Sequence, residues 1–210
     1  MCSPTPVYNQ GLPDHTLKPA VSKLPPLVAS YCGADDLMKV TEAAVRVTNH
    51  NDEAVAWARC AARLLDNLFQ GDSMSSALDA ASTEAPDHQS LALARSGSSL
   101  DGPGAGETHG RTCYLHEAMP VIFHILGHAR SYTEAIRANI QCGGDSCGRA
   151  WIIGPAMAAI HGVGGERGIP LSWLARVADA HTRFADIESL VNGKWRPGVQ
   201  ENQPSACPAQ

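Results

Sequence analysis

The chain has 210 residues, is 44% hydrophobic but only 5% aromatic, and carries a formal charge of −5 with a pI near 5.9. That length supports one domain with a real core, and a core so poor in rings is built from Ala, Leu, Val and Ile, which suits close-packed helices better than sheets. The acidic balance argues against a nucleic-acid or acidic-membrane partner, and the sequence has no run of about 18 apolar residues to span a bilayer.

The first residues, Met1 to Pro6, lack a basic region followed by an apolar core, so no secretory signal is expected. Residues 1–17 read as an irregular arm. Pro19, Pro25 and Pro26 then restrict helix to short pieces, Pro19–Leu24 and Pro26–Cys32. Asp35–Thr48 is a predicted helix, with Leu37, Val40, Ala44 and Val47 on one face. Thr48-Asn49-His50-Asn51 is a corner. Asn51 or Asp52 caps a second helix that runs to about Gln70 and ends at Gly71. The two pair as an antiparallel hairpin. A third helix covers Ser73–Ser82.

From Thr83 to Arg111 the periodicity fades. Residues 96–110, rich in glycine and serine, read as a flexible loop. Ala118–Ala129 is helical. Ser131 and Glu134 form a capping box for a helix over Tyr132–Cys142. Gly143-Gly144 interrupts the chain, Asp145 or Ser146 caps the next helix, and small residues follow from Ala150 to Ala159. Pro170 opens a short helix to Val177, and Ala178–Val191 continues or follows it. Residues 194–210 read as a disordered tail. No strand is predicted, so the chain reads as all-α.

Seven cysteines, scattered and odd in number, lack the usual zinc spacing. They read as reduced thiols in a cytoplasmic protein.

Three stretches carry a family resemblance. Gly143-Gly144-Asp145-Ser146-Cys147-Gly148, followed by a small-residue helix, the glycine turn His161–Gly165 and Gly168-Ile169-Pro170-Leu171-Ser172-Trp173, resembles the Gly-Gly-Asp-Thr-Asp-Thr signature of the ADP-ribosylglycohydrolases. Val45–Ala54 resembles that family's helix–Thr-His–helix corner. Thr112-Cys113-Tyr114 with Ala118-Met119-Pro120 resembles the segment before its inward-facing helix. The pieces occur in family order over roughly residues 12–176, and the character is closest to the J-crystallin-like branch, where the second Asp is commonly missing.

The resemblance implies a multi-helix orthogonal bundle over residues 18–193. It also implies a pair of Mg²⁺ ions held by a Thr-Asp-Asp segment near the family's N-terminus and by the signature's first Asp, second Asp and last Thr. Hard cations need several oxygens. This chain has Cys147 and Gly148 in place of the second Asp and the last Thr, and no Thr-Asp-Asp precedes Asp35-Asp36. The N-terminal part of the family domain is therefore expected to be absent and the metal site degenerate. Asp145 is the one metal-ligand candidate, and no cofactor is expected for this chain. Asn49, His50, Gly143, Gly144 and Ser146 are candidates for binding ADP-ribose or an ADP-ribosylated molecule. No catalytic residue is assigned.

Other polar groups stay open at this level. His50 either contacts a ribose or phosphate or only forms the corner. His124 and His128, four apart, either hold a metal or are structural; His116 precedes them. Cys113 or Cys147 is either a nucleophile beside a His base or an inert thiol. Two functions compete. One is a structural or ligand-binding protein that has lost the metal cluster. The other is a Mg²⁺-dependent hydrolase completed by an upstream segment. A domain without its N-terminal helices would also leave apolar faces that favour self-association.

Overall fold

The computed structural model describes residues 17–97 and 99–192. Apart from Leu17, the irregular arm lies outside the described residues, as does the tail from 194 onward. The described residues form twelve helices and no strand; the sole β element among them is an isolated bridge between Val163 and Ile169.

The helices are α1 Leu17–Val21, α2 Leu24–Ser30, α3 Leu37–Arg46, α4 Asp52–Phe69, α5 Met74–Ser82, α6 His88–Arg95, α7 Gly102–His109, α8 Leu115–His128, α9 Tyr132–Gln141, α10 Ser146–His161, α11 Leu171–Leu174 and α12 Ala180–Val191. Caps set most of these boundaries. Asn51, Ser73, Asp87, Asp101, Ser131 and Asp145 each accept a backbone N–H from the first turn of the helix that follows. Each satisfies one of the donors that a helix start leaves without an intrahelical partner. In the expected capping box, Ser131 receives the Glu134 N–H, while the Glu134 carboxylate reaches back to the Arg130 N–H at 2.7 Å.

Helix α4 is the centre of the bundle and touches α1, α2, α3, α5, α8 and α10. It is buried on almost every side, from Ala54 and Trp57 through Ala61, Leu64, Leu65 and Leu68. Its alanines let neighbours approach closely, which is how so few aromatic rings suffice. Asp66 on this helix is buried and accepts the Gly33 N–H at 2.8 Å, fixing the α2–α3 turn. On the outer side Arg59 and Arg63 both pair with Glu84.

The segment expected to be a flexible loop, 96–110, is corrected by the structure: most of it is α7. Its glycines serve packing. A Cβ on Gly102 would lie 2.5 Å from the Ala138 carbonyl oxygen, and one on Gly106 would lie 2.5 Å from that of Cys142. Glycines four apart thus let α7 press directly against the backbone of α9, in the manner of small-residue helix crossings. Helix α6 was likewise absent from the sequence reading. The short helix expected to reach Val177 ends at Leu174.

The loop between α6 and α7 is held by the two histidines of α8. His124 lies with Nδ1 2.9 Å from the Ala94 carbonyl and accepts the Asp101 N–H at Nε2, 3.2 Å away. His128 lies 2.7 Å from the His124 carbonyl through Nδ1 and 2.6 Å from the Gly97 carbonyl through Nε2. All four ring nitrogens face backbone groups, so this pair is structural rather than metal-binding.

Candidate functional site

The Gly143–Ser146 turn is built by three elements. Gly143 and Gly144 both have positive φ, +73° and +62°, a region side chains disfavour. Two consecutive left-handed residues reverse the chain within the α9–α10 connection. Asp145 then stands at the N-cap of α10, where Oδ1 accepts the Gly148 N–H at 3.0 Å. Its own N–H donates to the Arg111 carbonyl at 3.2 Å. A Cβ on Gly144 would overlap that same carbonyl, so only glycine allows the α7–α8 loop to lie against the turn.

That loop is itself tied down by Glu117 at the start of α8, whose Oε2 accepts the Thr112 N–H at 2.9 Å. Burial pushes the Glu117 carboxyl up, but the Thr112 N–H and hydroxyl and nearby His116 outweigh it and hold it below the usual carboxylate range. A chain of contacts therefore runs from Glu117 through Thr112 and Arg111 to Gly144 and Asp145.

From the inside, Arg149 holds the turn. Its guanidinium is fully buried, donates through Nε to Asn139 Oδ1 at 2.8 Å, and through Nη2 to the carbonyls of Asn139 and Gly143 at 3.2 and 2.6 Å. These acceptors lie in the last turn of α9 and just beyond it, where a cation is favoured. Asn139 completes the link by donating to the Ser146 carbonyl at 2.8 Å. Burial lowers the Arg149 pKa, and Cys142 and Asp145 oppose that shift. Sequence reasoning missed both residues. Their signal was a polar Asn139 on an otherwise apolar stripe and an arginine inside a small-residue helix.

The structure brings Gly143, Gly144, Asp145 and Ser146 into one turn, with Cys147 exposed at its edge and Gly148 buried. Asn49 and His50 sit at the α3–α4 corner, which α1 and Lys23 shape. The Thr48 hydroxyl accepts from Lys23 Nζ at 2.6 Å and lies 3.0 Å from the Pro19 carbonyl and 2.8 Å from Asn49 Oδ1. Lys23 is half-buried and its pKa is lowered by burial. Asn49 is buried while His50 is exposed. Of the two corner candidates, Asn49 is therefore the one built into the fold.

The donor set at the turn does not fit a pair of Mg²⁺ ions. Asp145 supplies a carboxylate already engaged by the Gly148 N–H. Ser146 carries a neutral hydroxyl and Cys147 a soft thiol, the wrong chemistry for a hard cation. The Asp145 carboxylate favours the charged form of the buried Arg149 guanidinium, and a fixed positive charge behind the turn opposes a divalent cation in front of it. Among the described residues no group of three His, Cys, Asp or Glu side chains converges as a metal site. Among the described cysteines, Cys113 and Cys147 are exposed free thiols.

The comparisons with known proteins agree with this architecture. Over 168 residues the chain is 29% identical to crystallin J1A of Tripedalia cystophora, covering 79% of this chain and 51% of that protein. The fold matches a solved chain described as an ADP-ribosylglycohydrolase-related protein complex, with a TM-score of 0.69 at 23% identity, over 86% of this chain and 61% of that one. The chain thus spans about half the length of the crystallin and three-fifths of the solved chain. The family model for ADP-ribosylglycohydrolase covers residues 9–203. With the glycine turn, its Asp-capped helix and the all-α bundle already in place, that match settles the family: the chain belongs to the ADP-ribosylglycohydrolases.

Proposed function

We propose that this chain is a J-crystallin-like ADP-ribosylglycohydrolase relative with a degenerate metal site, which serves as a structural protein or a binder of ADP-ribose-type ligands and does not hydrolyse them by itself. The observation that carries this reading is the first turn of α10. It offers one carboxylate, that of Asp145, already committed to capping, with Cys147 and Gly148 where the family has oxygen ligands. The turn is nonetheless firmly built, through Gly144 against Arg111 and Arg149 against Gly143. The Gly143, Asp145, Ser146 and Gly148 N–H groups are taken by neighbouring oxygens, so a phosphate at this helix start would meet the Gly144 N–H and the Ser146 hydroxyl beside Gly143; these three residues are the proposed contacts, with Asn49 and His50 at the corner. No resident cofactor is proposed for the chain as it stands, and a reducing, cytoplasmic setting suits its exposed thiols.

Calorimetric titration of the full chain with ADP-ribose, with and without Mg²⁺, tests the proposal. Binding unaffected by Mg²⁺, without turnover, is the expected result. Mg²⁺-dependent turnover would overturn it. A second reading has one observation in its favour: the chain covers 51% of crystallin J1A, so an additional segment could bring the missing ligands and make a Mg²⁺-dependent hydrolase of the assembly. Exposed Ile140, Trp151, Leu171 and Trp173 also support self-association, which sedimentation over a concentration series would reveal as a rising mass.

A further inference from the structure

A cleft of about 340 Å³ opens at the far end of α10, between α5, the end of α6 and the C-terminus of α8. At 1.5 Å per residue the 16-residue helix α10 puts roughly 24 Å between this cleft and the Asp145 turn, so it is a separate feature of the molecule. Its volume lies at the lower end of the range for small-molecule sites.

The lining is divided. The floor is apolar: Leu78, Leu126 and Met157 are almost wholly buried and Met74 partly so, with Ile160 exposed at its edge. Methionines are adaptable and accept ligands of varied shape. Gly127 also lines the cleft, and a Cβ there would meet only Arg95 Cγ, at 3.8 Å. The missing side chain leaves open space rather than relieving a clash. The polar rim is formed by Ser75, Arg95 and His161.

The rim has a direction. Arg95 is ion-paired with Asp79 of α5 through Nη1 at 2.5 Å; the pair offsets part of the charge but occupies only one of the five N–H groups of the guanidinium. Met74 and Ser75 are the first residues of α5, where Ser73 satisfies the N–H groups of Ser76 and Ala77. The Met74 and Ser75 N–H groups are among those a helix start leaves without an intrahelical acceptor. The opposite wall, at Gly127, Ala129 and His161, is made of helix C-termini, whose carbonyls repel an anion. His161 adds little charge, because burial and then Arg167 hold its pKa below the ordinary histidine value. A negative head group is therefore best placed at the start of α5 within reach of the Arg95 guanidinium, which outweighs the C-terminal carbonyls of α6 beside it, with its apolar body along the methionine floor.

We propose that this cleft binds a small carboxylate with an unbranched apolar chain, its head on Arg95 and its chain over Met74, Leu78 and Met157. The site is independent of the glycine turn and of any activity there.

The test uses the full chain and octanoate as the probe, with octan-1-ol as the neutral analogue, followed by calorimetry and thermal unfolding. Octanoate is expected to bind and raise the melting temperature, roughly tenfold tighter than octanol, the worth of one charge-assisted hydrogen bond. Arg95→Gln is expected to erase the difference between the two. Gly127→Leu, which fills the cleft, and Ser75→Trp, which blocks its mouth from an exposed position, are each expected to abolish octanoate binding; the second keeps the test intact should the first disturb α8. Failure of octanoate to bind, equal binding of octanol, or octanoate binding that survives both blocking changes would each overturn the proposal. Displacement of octanoate by ADP-ribose would overturn its independence from the turn.

Discussion

Gly144 and Arg111 share one point in space: the Arg111 carbonyl accepts the Asp145 N–H at 3.2 Å and fills the volume that a Cβ on residue 144 would occupy. The α7–α8 loop and the α9–α10 turn are therefore locked by backbone alone. Gly144→Ala must either break this contact or distort a left-handed residue. The expected cost is about 3 kcal/mol, in the range of strongly destabilising core changes. Gly143→Ala is the control: its φ is +73°, but a Cβ would meet only Arg111 Cδ at 3.8 Å, so conformational strain of about 1–2 kcal/mol should be its whole effect. Urea unfolding of both variants checks the order, and an equal loss would refute the backbone lock.

Gly102→Ala should destabilise despite improving helix propensity. The gain is at most about 1 kcal/mol, since Gly102 opens α7 rather than lying in its interior. The Cβ would approach the Ala138 carbonyl oxygen to 2.5 Å, and overpacking of that kind costs about 1–3 kcal/mol. A net loss in thermal unfolding is expected. A net gain would mean that α7 yields more easily than its contacts with α9 imply.

These glycines also explain where the sequence was legible. Helices α3, α4, α5, α8, α9 and α10 were readable because apolar periodicity and caps such as Asn51, Ser73 and Ser131 agree. Helix α7 was not, since it buries glycine rather than Leu or Val, and a glycine-rich stretch has no apolar period. Its cap, Asp101, followed by Pro103 in the first turn, was the available signal; Asp87 played the same part for α6. At the site, Asp145 was identifiable as a cap from its place after two glycines. Arg149 and Asn139 were not, because their partners are backbone carbonyls brought together only by the α9–α10 reversal.

Arg149→Met should lose about 3 kcal/mol, because the carbonyls of Asn139 and Gly143 and the Asn139 side chain would be left without the donor that joins them, and unsatisfied buried groups cost about 1–3 kcal/mol each. Arg149→Lys should recover only part of this, since an ammonium cannot reproduce the planar fork. Chemical denaturation of the three proteins gives the ranking, and full rescue by lysine would show that charge alone matters.

Acid stability should depend on Glu117. Its folded pKa is depressed, so the unfolded chain binds more protons at low pH and stability rises with pH. The contribution is complete above the unfolded value of about 4.3 and disappears as pH falls from there through the folded pKa. Glu117→Gln should be less stable than the parent at pH 6 and should narrow that gap below about pH 4. A gap that stays constant across the range would remove the carboxylate from the argument.

Restoring the signature at the turn should not restore catalysis. Cys147→Asp places a second carboxylate in the first turn of α10, where the helix dipole favours it, and Gly148→Thr adds a hydroxyl. Together with Asp145 these oxygens reproduce one half of the family's ligand set. Two Mg²⁺ ions nevertheless bring four positive charges, and each requires several oxygens at short distance. The buried Arg149 guanidinium remains behind the turn as a fixed positive charge. Without the ions a water near an anomeric carbon is neither oriented nor activated, and that positioning is a large part of the rate enhancement in such chemistry. The double variant should therefore release no ADP-ribose from ADP-ribosylated arginine, ADP-ribosylated serine or O-acetyl-ADP-ribose. Adding Arg149→Gln to it removes the opposing charge and should tighten binding of a single Mn²⁺, read by electron paramagnetic resonance, still without turnover. Chelator-sensitive turnover by the double variant would show that this turn alone suffices for hydrolysis and would refute the incompetence assigned to the chain.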